Sequence, residues 1–314
     1  MQETAFQYMS ADGHTVIHAL KWIPDQKNDQ KKSPAAVIQV CHGLTEYIGR
    51  YREFADYFTK KGYVVAGNDI LGHGESVDRK ASASAVDEVI HMERWEDAVR
   101  DCESLRSAVK KEYPGIPYYM LGFSLGSFLV RAHQIRYPGT ADAVILAGTG
   151  QIPAAQLFAA GLLIRREASA AGWDRTTKRI HDLSFGSYNR HFAPNYGEFD
   201  WLYLDKECQR EYAADERTGK DMSCGFFYQF LQCMRYTGEK IGEMSPRVPV
   251  LLISGSEDPV GGFGKGVRTV CRKLKKAGVP VRMELLAPYR HDIFHDACRY
   301  EVYEKIGRWL DEIS

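Results

Sequence analysis

Gly122-Phe123-Ser124-Leu125-Gly126 is the stretch whose reading decides the fold. Directly before it, Tyr118-Tyr119-Met120-Leu121 is a short apolar run that reads as a buried strand; directly after it, Ser127-Phe128-Leu129-Val130-Arg131-Ala132 reads as a helix. Between a strand and a helix, a G-x-S-x-G turn has a mechanical meaning. Its glycines remove side chains where backbone meets backbone, so a strained turn can lift the serine hydroxyl clear of the sheet. The bare pentapeptide is common by chance. Here Asp258 and His291 follow it in the order serine, acid, histidine, each beyond its own apolar strand-like run at 249–254 and 281–286.

Outward from the turn, the chain alternates strands and helices. Ala35-Ala36-Val37-Ile38-Gln39-Val40, Tyr63-Val64-Val65-Ala66-Gly67 and Ala143-Val144-Ile145-Leu146-Ala147 are nearly continuous apolar runs, the kind buried on both faces of a parallel sheet. Trp95, Ala98, Val99, Cys102, Leu105 and Val109 recur at helical spacing until Pro114-Gly115. The last helix is expected to carry Cys298, Val302, Ile306, Trp309 and Leu310 on one side. Asp12-Gly13 between two strand-like runs marks a hairpin near the start. Repeated units of this kind specify an α/β fold with a mostly parallel central sheet and helices on both faces.

The rhythm breaks from about residue 151 to about 245. That stretch shows no convincing strand and is rich in aromatics, among them Phe185, Tyr188, Tyr196, Trp201, Phe227 and Phe230. It reads as a helical insertion over the C-terminal edge of the sheet. The expected plan is therefore a first part of the core at 1–150, a cap at 151–245 and a second part of the core at 246–314.

Composition bounds the function. The 314-residue chain has 44% hydrophobic and 26% charged residues and a formal net charge of zero, which excludes the basic field of a nucleic-acid or anionic-membrane binder. Seven scattered cysteines, odd in number and without a C-x-x-C pair, favour free thiols in a reducing compartment. The N-terminus has no basic start and apolar run, and no apolar stretch approaches the roughly 18 residues of a spanning helix, so a cytoplasmic location is expected. Leu157, Phe158, Leu162, Leu163 and Ile164 leave open a weak membrane-surface contact through the cap, though a helix apolar on nearly every side is more often buried. Oligomeric state is not legible.

The chemistry is assigned as follows. Ser124 is the nucleophile and needs a base to take its proton. His291 is that base, and a carboxylate behind it would hold the tautomer and stabilise the imidazolium. Glu257 and Asp258 compete for the acid; His295, expected at the start of the last helix, is the rival of His291. The oxyanion would be held by the backbone N–H of Leu125, after the nucleophile, and by that of Leu44, in the loop Cys41-His42-Gly43-Leu44-Thr45. His42 is read as a hydrogen bonder that structures this loop.

These residues carry a family resemblance. His42-Gly43-Leu44-Thr45-Glu46-Tyr47-Ile48-Gly49-Arg50-Tyr51 resembles the H-G-x-x-E-H-x-x-R-Y segment of the monoacylglycerol lipase and lysophospholipase group of α/β-hydrolases. Asp69-Ile70-Leu71-Gly72-His73-Gly74-Glu75-Ser76 resembles that group's D-x-x-G-H-G-x-S. The segments 122–126, 255–258 and Arg290-His291-Asp292 are similar to its nucleophile, acid and base segments, and the likeness continues more loosely at 185–192 and 198–202. The resemblance selects Asp258 over Glu257, as does the turn-forming Pro259 after it. It implies an α/β-hydrolase fold and hydrolysis of carboxylic esters of small or lipid alcohols under a helical cap, with no cofactor or metal. Monoacylglycerol-like or lysophospholipid-like substrates are favoured. Tyr47 stands where the group usually has histidine, and Asp292 where it has glutamate.

Other patterns are weaker. His291-Asp292-Ile293-Phe294-His295 has the outward form of a zinc motif but lacks its glutamate and an evident third ligand. His291 to Asp296 spells the sparse H-x₄-D of some acyltransferases. The glycine-rich 261–266 lacks the serine or threonine of a phosphate loop and reads as a flexible loop beyond the acid. Two alternative functions stand beside the esterase. An amide or peptide hydrolase would want Glu198 or Asp200 near the substrate's amino terminus; a ligand-binding protein would keep the fold without turnover.

Overall fold

The computed structural model describes residues 1–25, 33–77, 89–184, 186, 188–192 and 197–313. Phe185 and Tyr196 lie outside the described residues. The chain runs through β1 (Gln2–Met9), β2 (Val16–Ile23), β3 (Val37–Cys41), α1 (Arg52–Lys60), β4 (Val64–Asn68), β5 (Val89–Ile90), α2 (Trp95–Glu112), β6 (Tyr118–Phe123), α3 (Leu125–Arg136) and β7 (Ala143–Ala147). It continues through α4 (Ala154–Ala171), α5 (Lys178–Ser184), α6 (Lys206–Ala214), β8 (Asp221–Met222), α7 (Cys224–Lys240), β9 (Val250–Gly255), α8 (Lys265–Lys276), β10 (Val281–Leu286) and α9 (Arg299–Ile313).

Eight strands form one sheet in the order β1-β2-β4-β3-β6-β7-β9-β10. β1 and β2 make the antiparallel hairpin and β2 joins β4 antiparallel; every pair from β4 to β10 is parallel. Each position of β3, β4, β6, β7 and β9 is buried, which is why these strands read as unbroken apolar runs rather than alternating ones. Successive side chains go to opposite layers. Ile38, Leu121 and Ile253 meet Phe54, Phe58 and Trp309 of α1 and α9, whereas Val37, Met120 and Leu252 meet Leu105, Val130 and Leu274 of α2, α3 and α8. Each such aliphatic side chain contributes about 1.5–3 kcal/mol by leaving water. The polar Gln39 in β3 is satisfied, donating to the Cys102 carbonyl at 2.9 Å and accepting from the Tyr118 hydroxyl at 2.6 Å.

The segment 151–245 supplies α4 to α7. It also contains a strand that the sequence pattern did not show: β8 pairs in parallel with β5, Val89 opposite Asp221 and Ile90 opposite Met222. Two residues are too few to display a period. α7 packs Phe226, Phe227, Phe230 and Leu231 against Leu125, Phe128 and Leu129 of α3. α4 is two-sided, burying Leu157 and Ile164 while Phe158 and Leu162 are 66% and 53% exposed. Among the described residues, no helix is long and apolar enough to cross a membrane. All seven cysteines are free thiols.

Candidate active site

Ser124 sits between the last residue of β6 and the first of α3 with φ 49° and ψ −117°, a backbone conformation rare for a residue with a side chain. Bonds on both sides hold it there: its N–H donates to the Ala147 carbonyl at 3.0 Å, and the Gly126 N–H to that of His42 at 3.1 Å. A Cβ at Gly122 would strike the Gly126 carbonyl, and one at Gly126 the Cys41 carbonyl. The two glycines are therefore required by backbone packed on backbone.

His291 comes from the loop after β10, and its Nε2 lies 2.9 Å from the Ser124 hydroxyl. Its Nδ1 lies 3.0 Å from Asp258 Oδ1. That second approach is close but not aligned as a hydrogen bond. A carboxylate at Nδ1 favours the proton there and leaves Nε2 to accept from the serine. Asp258 is 0% exposed, and its Oδ1 also accepts from the Val260 N–H at 2.8 Å. Phe123 and Trp201 flank the imidazole, ring centres 5.0 and 5.5 Å away. Behind Trp201, at 5.2 Å, stands Tyr188, whose phenol is pushed up to about 12 by burial and then by the Asp258 charge.

The rival residues have other partners. Glu257 is half-buried, and its backbone N–H donates to the Tyr289 carbonyl at 3.0 Å. His295 is not on the last helix, which begins four residues later at Arg299; it sits in a turn. From there it reaches Asp292 at 2.9 Å and the Arg50 carbonyl at 3.1 Å. His42 donates from Nδ1 to the Gly43 carbonyl at 2.7 Å and accepts at Nε2 from the Ile70 N–H at 2.8 Å, so it ties together the loops after β3 and β4. Burial pushes its imidazole down, outweighing Glu46 and Asp69. Leu44 lines the same cavity as Ser124, and Leu125 opens α3, where the first N–H groups have no partner within the helix.

A buried charge cluster beside the cavity escaped the sequence reading. Arg50 donates to Glu46 Oε2 at 2.6 Å and to the Tyr203 hydroxyl at 2.6 Å, and lies 3.5 Å from Asp292. Glu46 also accepts from the Tyr51 hydroxyl at 3.0 Å and from the Gly43 N–H. Burial alone would raise the Asp292 carboxyl; His295, Arg50 and Tyr203 outweigh it and hold it well below the usual range. Glu46, Asp292 and His295 bring ligand atoms within 4.8 Å of one another, but the Arg50 guanidinium stands where a cation would. The Glu, Arg and Tyr of 42–51 were the available signal; their other partners, Tyr203 and Asp292, are far away in the chain. Asp296, the end of the H-x₄-D pattern, accepts from the Leu204 and Asp205 N–H groups at 2.7 and 3.1 Å and so anchors the 200s segment. The glycine-rich 261–266 is a set of hydrogen-bonded turns leading into α8 rather than a loose loop; the Gly266 N–H donates to the Gly261 carbonyl at 2.9 Å.

The cavity over Ser124 holds about 250 Å³. Its lining includes the apolar Phe128, Leu157, Met222, Phe227, Phe230 and Met234 and the polar Thr45, Glu46, Arg50 and Tyr212. Asp200 is not free to meet a substrate. It is paired with Arg290 at 2.9 Å and accepts from Gln209 at 2.9 Å and from Lys206 at 2.5 Å.

Sheet order, strained serine turn and the placement of the three side chains together define an α/β-hydrolase. Residues 32–297 match the family of serine aminopeptidases, S33, and the chain belongs to it. It is 31% identical to a monoacylglycerol lipase of Mycolicibacterium smegmatis over 127 residues, 40% of each chain. It is likewise 31% identical to the human monoglyceride lipase over 114 residues, 36% of this chain and 35% of the relative. These alignments span less than half the length of the curated relatives. The backbone is similar to that of a highly thermostable carboxyl esterase from Bacillus coagulans solved with glycerol, with a TM-score of 0.88, 25% identity and 100% and 99% of the two chains covered. For a soluble variant of the Saccharomyces cerevisiae monoglyceride lipase, solved with a substrate analogue, the TM-score is 0.73, the identity 16% and the coverage 99% and 95%.

Proposed function

We propose that this chain is a serine hydrolase that cleaves carboxylic esters through an acyl-enzyme. The observation that carries this is the 2.9 Å contact between the Ser124 hydroxyl and His291 Nε2, at the wall of a covered and mostly apolar cavity. As Ser124 Oγ attacks the ester carbonyl, His291 takes its proton, and the new positive charge faces Asp258. The backbone N–H groups of Leu125 and Leu44 receive the oxyanion. Collapse of the intermediate passes the proton from His291 to the leaving alcohol. Water, activated by the same imidazole, then frees the acid and restores the serine.

The apolar part of the cavity lining suits an acyl chain. With roughly 30 Å³ per methylene-sized group, the scale of a water in liquid, about 250 Å³ holds a medium chain. The polar part suits a polar, uncharged alcohol. Its cation, Arg50, is already spent on Glu46, Tyr203 and Asp292, which leaves little attraction for a phosphate. Monoacylglycerol-like esters are therefore favoured over lysophospholipids. The engaged Asp200 speaks against its receiving a substrate's amino terminus, and Glu198, the other candidate, lines the neighbouring hollow rather than the cavity over Ser124. The helices of 151–245 serve as the cap, and the free cysteines fit a cytoplasmic setting.

The test is labelling by a fluorophosphonate probe together with matched ester and anilide substrates. Modification at Ser124 with ester turnover far above anilide turnover is expected. An unlabelled Ser124 would favour a ligand-binding protein instead.

A further inference from the structure

Next to the catalytic cavity lies a second hollow of about 160 Å³, and Thr45, Trp201 and Tyr212 line both. Thr45 and Tyr212 belong to one contact between the loop after β3 and the end of α6 with the segment that follows it. The Tyr212 hydroxyl lies 2.8 Å from Thr45 Oγ1 and donates to the Thr45 carbonyl at 3.1 Å; the Gly219 N–H donates to the same carbonyl at 3.1 Å. Thr45 holds a left-handed backbone, φ 59°, at this point.

The outer end of the contact is polar and aromatic. The Tyr47 hydroxyl donates to Asp215 Oδ2 at 2.7 Å. Arg217 pairs with Asp215 at 3.1 Å, donates to the Tyr47 hydroxyl, and stacks its guanidinium 3.9 Å from the centre of the Tyr47 ring. Thr218 Oγ1 lies against the carbonyls of Tyr212 and Asp215 and folds the segment back on itself, so that a pull on Asp215 is felt at Tyr212. A histidine at position 47 would lack the phenol that reaches Asp215.

We infer that Tyr47, Asp215 and Arg217 form a latch that sets the size of the alcohol accepted by the ester site. Closed, it holds the Thr45–Tyr212 wall in place and confines the leaving alcohol to the catalytic cavity. Released, it lets the two hollows join and bulkier alcohols fit. This rests on the ester-hydrolase reading and names the specificity of that same site. Arg217 is more than half exposed, so an ion pair and a cation–π contact of this kind each shift an equilibrium by only a few-fold. The latch therefore tunes selectivity without deciding whether the chain folds.

The experiment compares kcat/KM for methyl, glyceryl and naphthyl octanoate in the unmodified protein, Arg217→Ala, Arg217→Lys and Tyr47→Phe, with thermal unfolding of each. The ratio of naphthyl to methyl ester should rise about 3- to 10-fold in Arg217→Ala, with methyl ester turnover within two-fold and Tm little changed. Arg217→Lys, which keeps the charge but stacks less well, should fall between. A ratio unchanged in both Arg217→Ala and Tyr47→Phe, or an equal fall on all three esters, would overturn the latch. Absence of turnover on every ester by the unmodified protein would overturn the hydrolase reading, and the latch's role with it.

Discussion

The Tyr203 hydroxyl donates to Asp292 Oδ2 at 2.7 Å, joining a residue of the 200s segment to the immediate neighbour of His291. Arg50 touches both partners and also holds Glu46, so the 200s segment, the loop of His291 and the loop bearing Leu44 meet in one buried cluster. Removing one charge from such a cluster leaves the others uncompensated, at a cost of about 3–5 kcal/mol. Asp292→Asn should lose about that much stability, Tyr203→Phe only about 1–3 kcal/mol, and Asp292→Glu the least. Urea unfolding monitored by fluorescence checks the order; an Asp292→Asn chain as stable as the original contradicts it.

A Cβ at Gly126 would meet the Cys41 carbonyl and the His42 backbone, neither of which can turn aside as a side chain does. Gly126→Ala should cost about 1–3 kcal/mol of stability. It should also cut ester turnover by more than ten-fold, because the serine turn and the Leu44 loop must part. Retained kcat with a lower Tm would show that the close approach matters for packing alone.

Much of this was legible in the chain because burial writes itself into composition. β3, β6 and β9 are covered on both faces and so appear as apolar runs; Ser124 follows β6 and Asp258 follows β9, whereas His291 follows β10, whose residues are mostly half-buried. The choice of Asp258 over Glu257 needed the resemblance, since adjacent carboxylates differ only in where the turn aims them. The Arg50 cluster was hidden for another reason: Glu46, Tyr203 and Asp292 come from three distant segments, and no periodicity relates them. The β5–β8 pair was too short to show a pattern. His295 was misplaced because the apolar spacing that includes Cys298 starts before α9 does.

Ala160 of α4 lines the cavity, as does Leu157 one turn before it. Ala160→Phe should fill part of the space of the acyl chain and lower kcat/KM on p-nitrophenyl octanoate at least ten-fold, while p-nitrophenyl acetate is spared. Equal effects on both esters would place the chain elsewhere.

Partial burial would raise the carboxyls of Asp200 and Asp215, but hydrogen bonds outweigh it: Lys206, Gln209 and Arg290 lower Asp200, and Arg217 and Tyr47 hold Asp215 down at about 2. Both lie below the value of about 3.9 for an unfolded aspartate. The folded state therefore binds fewer protons, and their stabilisation is complete above about pH 4 and is lost as pH falls toward the folded values. Asp200→Asn should be less stable at neutral pH and lose less on acidification to pH 3 than the original chain. Parallel acid limbs in unfolding midpoints would contradict this.

The central claim is that Ser124 is the nucleophile served by His291. Ester hydrolysis by Ser124→Ala, measured on a p-nitrophenyl octanoate series with folding verified by thermal melt, tests it most directly. Turnover should fall about a million-fold, to the background of the assay. Undiminished hydrolysis by a folded Ser124→Ala chain would contradict the account.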